Sequence, residues 1–279
     1  MKVPGEAVRV LRKPSRRGQY ALTAAVISWF TILILLPLVG IFKEALSSGL
    51  PAFVRIFGDP AAIRSFLLTI WTTVGTIIIN TFFGIVLAVT LVKQRFRGKL
   101  LLEGLVDLPF AVSPVVAGFM FIILFGPKGW IGSWFEASGV KIIYAFPGIL
   151  IVTLFVTLPF LAREIIPVLK EFGLEQEESA YVLGASRWQT FWRITLPSIK
   201  WGLAYGVTLT IARSIGEFGA VLVVSGSIIN KTQTATLFIH QEFIDFNYIG
   251  AFSASIILAL VSFIILVVMQ TVYRRKGVD

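Results

Sequence analysis

The sequence predicts an all-α membrane protein with six transmembrane helices and both termini in the cytoplasm. Of its 279 residues, 56% are hydrophobic and only 14% are charged, which is unlike an ordinary soluble domain. The apolar residues gather in six long runs, and the basic residues concentrate in alternate connecting segments. Because a span needs about 20 apolar residues to cross about 30 Å of hydrocarbon, this length accommodates six spans with short loops.

The six apolar runs define the expected spans. They cover residues 20–42, 66–92, 105–125, 144–161, 201–224 and 250–273. The first run is too long for a signal-peptide core and is followed by no small-residue cleavage pattern, so we expect it to be retained. The third run contains Pro109 and Pro114 and is expected to be kinked or partly broken, with neighbours or water satisfying the freed backbone groups.

The distribution of basic residues sets the predicted orientation. Eighteen of the 25 Lys and Arg residues lie on one side of the runs and six on the other, while Arg213 lies inside the fifth run. The positive-inside rule therefore places both termini in the cytoplasm. The predicted organisation is a basic cytoplasmic segment at 1–19, a six-helix domain at 20–273 with a cytoplasmic loop at 162–200, and a cytoplasmic tail at 274–279.

Charge and composition also exclude several classes of site. The net charge of +10 follows the topology, so we expect lipid contact and no nucleic-acid partner. The chain has no cysteine, which excludes disulfides and thiolate metal sites. His240 is the single histidine and is predicted to lie on an external loop near Glu242 and Asp245. No metal site is predicted there, because a second nitrogen ligand is lacking.

The loop at 162–200 carries a spaced motif. Its residues are Glu178-Ser179-Ala180, then Gly184 after three residues, then Ile194-Thr195-Leu196-Pro197 after nine more. This resembles the EAA loop of ABC importer permeases, whose pattern is Glu-Ala-Ala, three residues, Gly, nine residues and Ile-x-Leu-Pro. Ser179 departs from that pattern by a small-for-small change. The alternative is an ordinary amphipathic helix pair in which Gly and Pro only punctuate the chain.

The residue pattern of the motif predicts two short helices. The first should end near Gly184 and the second should be stopped at Pro197, which gives an L-shaped pair. In the family this loop lies in a groove of the ATPase subunit. The resemblance therefore implies that Glu178 pairs with a cation of the partner, that Ser179 and Ala180 permit close approach, and that Gly184 makes the turn. Ile194, Leu196 and Pro197 complete the coupling set.

A second resemblance narrows the substrate class. Residues 108–118, 158–164 and 212–220 look like the CysW-type permease of sulfate and thiosulfate importers, in a match from about residue 60 to the end of the sequence. Molybdate and tungstate permeases share the Arg-x-x-Gly-Glu-Phe-Gly element and stay an alternative. The resemblance implies the type I ABC importer permease (MetI-like) fold in the bacterial inner membrane.

The same resemblance implies the partners. They are a homologous second permease in a heterodimer, a dimeric ABC ATPase that binds ATP and Mg, and an extracytoplasmic sulfate-binding protein. The chain itself contains no Gly-x-x-x-x-Gly-Lys-Ser/Thr phosphate loop, so we expect no cofactor in this subunit.

Two ionisable residues, Arg213 and Glu217, are placed well inside a predicted span. A charge there costs at least about 2.5–3.5 kcal/mol, and a separation of four puts both residues on one helical face, where they can pair. The pair either lines the path of an anion or locks the fifth helix structurally.

Polar residues of the second run are expected to form hydrogen bonds between helices rather than to line a path. They are Thr69, Thr72, Thr73, Thr76 and Asn80.

Two other functional classes are weaker. An intramembrane enzyme would need a nucleophile with a base, or a carboxylate–metal cluster, and no catalytic residue of that kind is predicted. An anion carrier driven by an ion gradient could use Arg213 and Glu217 as a proton relay, but such a carrier has no need of an EAA loop.

Overall fold

The computed structural model describes residues 16–276, and every regular element in that range is a helix. Most of the predicted N-terminal segment, up to residue 15, and residues 277–279 of the predicted tail lie outside the described residues. The prediction of an all-α protein is confirmed.

Fourteen α-helices follow one another along the described chain. They are α1 (Arg16–Phe30), α2 (Leu36–Ala45), α3 (Leu50–Val54), α4 (Pro60–Lys93), α5 (Lys99–Ala111), α6 (Pro114–Phe125), α7 (Gly132–Ala137), α8 (Phe146–Phe172), α9 (Glu175–Val182), α10 (Arg187–Thr190), α11 (Leu196–Ile215), α12 (Gly219–Ser225), α13 (Ala235–Ile244) and α14 (Tyr248–Lys276). Two π-helical segments (Thr31–Leu35 and Phe191–Thr195) and a 3₁₀ turn (Arg55–Gly58) join some of them.

Four helical stretches are long and apolar enough to cross a membrane: Gln19–Ala45, Pro60–Lys93, Phe146–Phe172 and Tyr248–Thr271. Two further pairs pass the same test together but are bent, α5 with α6 by 116° and the helix ending at Ile215 with α12 by 55°. Counting each bent pair as one span gives six. These six correspond to the six apolar runs of the sequence.

The first break lies in the third span, where the sequence predicts it. Helix α5 tolerates Pro109 in its interior and ends at Ala111, and Pro114 begins α6. Proline suits that position because the first helical N–H has no partner within the helix.

The second break, in the fifth span, was not predicted. Helix α11 ends at Ile215 with Gly216 as its C-cap, and α12 begins at Gly219. A side chain stabilises the restart, since Glu217 Oε1 accepts a hydrogen bond of 3.0 Å from the backbone N–H of Ala220. A residue within the break, Glu217, thus caps the N-terminus of α12.

Helix α8 forms the centre of the bundle, with α4 and α11 packed along it. Leu161 and Ile165 are fully buried in this contact. Gly202 of α11 permits the close approach, because a Cβ there would lie 2.7 Å from the carbonyl oxygen of Glu164. Helix α8 continues to Phe172, past residue 161 where its apolar run was predicted to end, since buried residues such as Leu169 extend the core.

The remaining helices pack around this centre. Helices α6 and α12 lie against each other and against α8, with Ile149, Val152, Val221 and Val224 in a buried apolar cluster. Helix α14 contacts α13, α11 and α2. The stretch Gln19–Ala45 is largely exposed in the single chain, as expected for a helix that faces lipid or another subunit.

Candidate functional site

The EAA-like motif folds as two helices joined by a tight turn. Glu178, Ser179 and Ala180 lie on α9, and Gly184 makes the turn with a φ of +88°, in the left-handed region that favours glycine. Helix α10 begins with a capping box, in which Ser186 and Gln189 exchange side-chain-to-backbone hydrogen bonds of 2.9 and 3.3 Å. The helix–turn–helix predicted from Gly184 is confirmed.

The second helix does not stop at Pro197, so that prediction was wrong. The chain passes from α10 through the π segment Phe191–Thr195, which contains Ile194, into α11, where Leu196 and Pro197 open the helix. A π turn closes with a bond from the N–H of Leu196 to the carbonyl of Phe191. The wider turn accommodates a proline ring that would otherwise crowd the preceding turn. Leu36-Pro37 follows the other π segment in the same way.

The outer face of the motif is exposed and apolar. Glu178 and Ser179 are exposed, while Ala180 is half-buried. Beside them, Val182 and Leu183 are each 88% exposed, and Trp188 and Trp192 are 69% and 50% exposed. Exposed apolar groups of this size are available for contact with a partner protein or with the membrane surface.

The inner face of the motif holds an ion pair that the sequence analysis missed. Glu177 is only 4% exposed and pairs with Lys93, the last residue of α4. Thr195 donates its hydroxyl to the same carboxylate oxygen at 2.5 Å, and Lys93 also lies 3.1 Å from that hydroxyl. The pair therefore ties α9, α4 and the start of α11 together. Its only sequence signal was a second carboxylate directly before Glu178, about 100° away around the helix.

Arg213 and Glu217 pair as predicted, but not on one continuous helix. Glu217 lies in the break after α11, with Arg213 Nη1 2.6 Å from its Oε2. The Glu217 side chain is 1% exposed and caps α12, whereas that of Arg213 is 28% exposed. A backbone contact also fixes the break, because Thr236 donates a hydrogen bond of 2.7 Å to the Glu217 carbonyl.

Another ion pair lies level with the Lys93 end of α4, because the neighbouring Val106 and Ala162 pack against Leu91. Asp107 of α5 and Arg163 of α8 form a second pair, with two contacts of 2.9 and 3.0 Å to one carboxylate oxygen. The Arg163 guanidinium also lies 4.6 Å from the centre of the Phe110 ring. Both side chains stay about half exposed in the single chain. Arg163 was assigned to the loop because the extension of α8 was not anticipated.

The polar residues of α4 are buried and partly confirm the prediction of bonds between helices. The Asn80 amide donates to Thr157 of α8 at 2.7 Å, and Thr69 accepts at 2.8 Å from the N–H of Ala235, which begins α13. Thr72 bonds within its own helix. Thr73 and Thr76 are buried without a hydrogen-bond partner for their hydroxyls among the described residues.

His240 lies on α13, a short helix within the segment that connects the fifth and sixth spans. Its ring packs 5.1 Å from that of Phe218. Across residues 16–276 no three metal-ligating side chains are grouped together. Nearby, burial raises the pKa of Glu242 above its ordinary value, with further contributions from Asp59 and Asp245, while a hydrogen bond from Asn247 opposes the shift.

This bundle of six apolar spans, two of them broken, with a capped helix pair at one end, defines a multi-pass permease of the cytoplasmic membrane. The chain belongs to the family of binding-protein-dependent transport system inner membrane components, whose model matches residues 80–278. It is therefore a membrane component of a transport system and not an enzyme.

Two relatives and one solved structure of the same fold illustrate the match. The chain is 46% identical over 259 residues to the sulfate transport system permease protein CysW of Synechocystis, covering 93% of this chain and 94% of the relative. It is 34% identical over 246 residues to the corresponding CysT protein of Escherichia coli, covering 88% and 89%. A solved bacterial ABC transporter for alginate, in complex with its pentasaccharide-bound periplasmic protein, has the same fold, with a TM-score of 0.80, 21% identity and coverage of 92% and 94%.

Proposed function

We propose that this chain is a permease subunit of an ATP-driven importer that carries sulfate or thiosulfate into the cell. The observation that carries the proposal is its identity, over nearly the full length of both chains, to a sulfate permease. Molybdate or tungstate is the alternative substrate. An ion-gradient carrier is disfavoured, because the motif surface of α9 and α10 offers a docking site that such a carrier does not require.

The partners follow from the same relatives. The chain is similar both to a CysW and to a CysT sulfate permease protein, and this supports pairing with a homologous but different permease. A transporter of the same fold has been solved with its periplasmic protein, which supports delivery by an external sulfate-binding protein. The half-exposed pair of Asp107 and Arg163 would face that second permease or a water-filled path, since lipid contact is costly for charges.

Coupling to a partner ATPase, which would bind ATP and Mg, is assigned to the exposed surface of α9 and α10. Glu178 would pair with a cation of the ATPase, while Val182 and Leu183 enter an apolar groove of the same partner. The small side chains of Ser179 and Ala180 would allow the two proteins to approach closely. Gly184, Ile194, Leu196 and Pro197 shape the surface that presents them. Motion of this surface would reach the spans directly, because Glu177 fastens it to Lys93.

Arg213 and Glu217 are proposed to divide two tasks. Glu217 is buried and caps α12, so it stabilises the broken span. The partly exposed Arg213 supplies positive potential to a passing dianion, which guanidinium suits through its several donors. We expect Arg213→Ala to abolish uptake while the complex still assembles. Normal uptake by that variant would leave Arg213 with a structural role alone.

The test is uptake of labelled sulfate by vesicles that contain the chain with candidate partners, in competition with thiosulfate, molybdate or phosphate. Inhibition by thiosulfate alone supports the sulfate class, and inhibition by low molybdate favours the alternative. For coupling, Glu178→Ala should lower anion-stimulated ATP hydrolysis, whereas Glu175→Ala, an equally exposed carboxylate on α9, should leave it near the unmodified rate. Equal rates in both variants would contradict the assignment of Glu178.

A further inference from the structure

A small cavity lies where the loop after α12 meets α4. It has a volume of about 220 Å³, and its lining includes Arg64, Asn230, Lys231 and Gln233. The lining thus includes two cationic and two amide residues, and no carboxylate. Such a set of donors without acceptor charge suits an anion with several oxygens.

One of these groups lacks a partner. Gln233 is 3% exposed, and its amide nitrogen is buried without a hydrogen-bond acceptor in the described part of the chain. A buried donor left unpaired costs about 1–3 kcal/mol, so native proteins rarely keep one without a ligand or water to receive it. The orphan donor belongs to one of the residues that line the cavity, although the nitrogen itself is closed to solvent in this conformation.

The loop that carries three of the four groups is fixed by its own hydrogen bonds. The Thr232 hydroxyl donates 2.7 Å to the carbonyl of Ser225 and accepts 3.1 Å from the N–H of Ile228. The bond from Ala235 to Thr69 then attaches the end of the loop to α4. Asn230 has a φ of +65°, a conformation that asparagine tolerates better than most residues. The backbone of this loop is therefore held in place without a ligand.

The depth of the cavity can be read along α4. Trp71, which also lines the cavity, and Lys93 at the other end of the helix are 22 residues apart, or about 33 Å. That distance matches the hydrocarbon thickness of about 30 Å. Trp71 therefore marks one membrane surface, and Arg64 lies about 10 Å beyond it, in water. By the predicted orientation this is the external surface.

We infer that Arg64, Asn230, Lys231 and Gln233 form a binding site for a tetrahedral oxyanion at the external membrane surface. The oxyanion is either free sulfate, which would make the site a receiving point before the path, or the phosphate of an anionic lipid headgroup. The identification of the anion as sulfate rests on the proposed function, whereas the inference that an anion binds here rests on the residues of the cavity alone.

The test uses the full-length chain in phosphatidylcholine nanodiscs with a thiol reporter. Because the chain has no cysteine, Leu67→Cys places a single thiol at the cavity without changing its four polar groups. Its reaction rates with an anionic sulfonate-bearing and a neutral methanethiosulfonate reagent are compared. Ser47→Cys, at an exposed position that does not line the cavity, is the matched reporter, and chloride replaces sulfate at constant ionic strength in the control buffer.

We expect the preference for the anionic over the neutral reagent to be about tenfold greater at Leu67→Cys than at Ser47→Cys. Sulfate should slow the anionic reagent at Leu67→Cys more than chloride does. Arg64→Gln with Lys231→Gln should abolish both effects, while Lys128→Gln, an exposed cation that does not line the cavity, should preserve them. An unchanged neutral-reagent rate shows that a variant is folded. Equal slowing by sulfate and chloride, in the absence of anionic lipid, would overturn the inference.

A second arm identifies the source of the oxyanion. If phosphatidylglycerol in the nanodisc lowers the reaction rate of the anionic reagent at Leu67→Cys by a larger factor in the unmodified cavity than in the double variant, the site is a lipid headgroup site. If sulfate still slows the reaction in that lipid, it is a site for the free anion. The thiol-labelling assay does not depend on transport activity, so the two proposals can be tested separately. A chain that shows no anion effect but supports sulfate uptake would refute this inference alone, and the converse result would refute the proposed function alone.

Discussion

The ion pair between Lys93 and Glu177 allows a sharp test of how the loop is attached to the spans. Lys93→Met removes the positive partner and leaves a carboxylate that is 4% exposed with only the Thr195 hydroxyl to stabilise it. Breaking a buried pair in this way costs about 3–5 kcal/mol. Because the Lys93 side chain is 19% exposed, we expect the lower end, about 3 kcal/mol. That energy corresponds to an increase of about 100-fold in local opening.

The opening is measured as the rate of trypsin cleavage after Arg187 in the loop, which tracks the population of the opened form when opening and closing are fast. The double variant Lys93→Met/Glu177→Gln removes both charges and keeps an acceptor for Thr195, so it should recover most of the resistance. Lys170→Met makes the same change at an exposed position in the last turn of α8 and should alter the rate less than threefold. Equal cleavage of the single and double variants would refute the reasoning.

Three other predictions concern packing and charge elsewhere. Gly202→Ala should destabilise the bundle by about 1–3 kcal/mol, because its Cβ meets a carbonyl oxygen of α8, whereas Gly40→Ala, with open space around it, should not lower thermal stability. Asn80→Leu should cost about 1–3 kcal/mol in a denaturation assay, since the Thr157 hydroxyl loses its bond to α4; no loss would contradict the interhelical role. Because the Glu242 pKa is raised in the folded state, that state binds the proton more tightly. Stability from this group should therefore fall as pH rises through its pKa, and Glu242→Gln should remove that slope from a melting profile across pH.

Sequence patterns located the six spans because apolar length is a direct consequence of membrane thickness. They also located the break at Pro114, where proline restricts the backbone locally. The break after Ile215 was missed, since Gly216 is only a weak helix breaker and the cap supplied by Glu217 depends on a turn that the sequence pattern does not show. A helix break was therefore predicted where a single residue causes it, and was missed where it depends on a contact between two residues.

The candidate site shows the same division. Gly184 and its spacing to the Ile-x-Leu-Pro element predicted the turn, because a positive φ selects glycine. Glu177 was passed over since its partner, Lys93, lies in a distant part of the sequence and only packing brings them together. Pro197 was misjudged because a π turn, which leaves no residue signature, accommodates it.

The pairing of α6 with α12 has a consequence for biosynthesis. Helix α12 has only seven residues, too few to cross the hydrocarbon, and its buried face is completed by α6 and α8. Both of those helices precede it in the chain, so they leave the ribosome first. The helices that bury α12 are therefore already present when the fifth span is made, so the order of synthesis matches the order in which the broken span can pack.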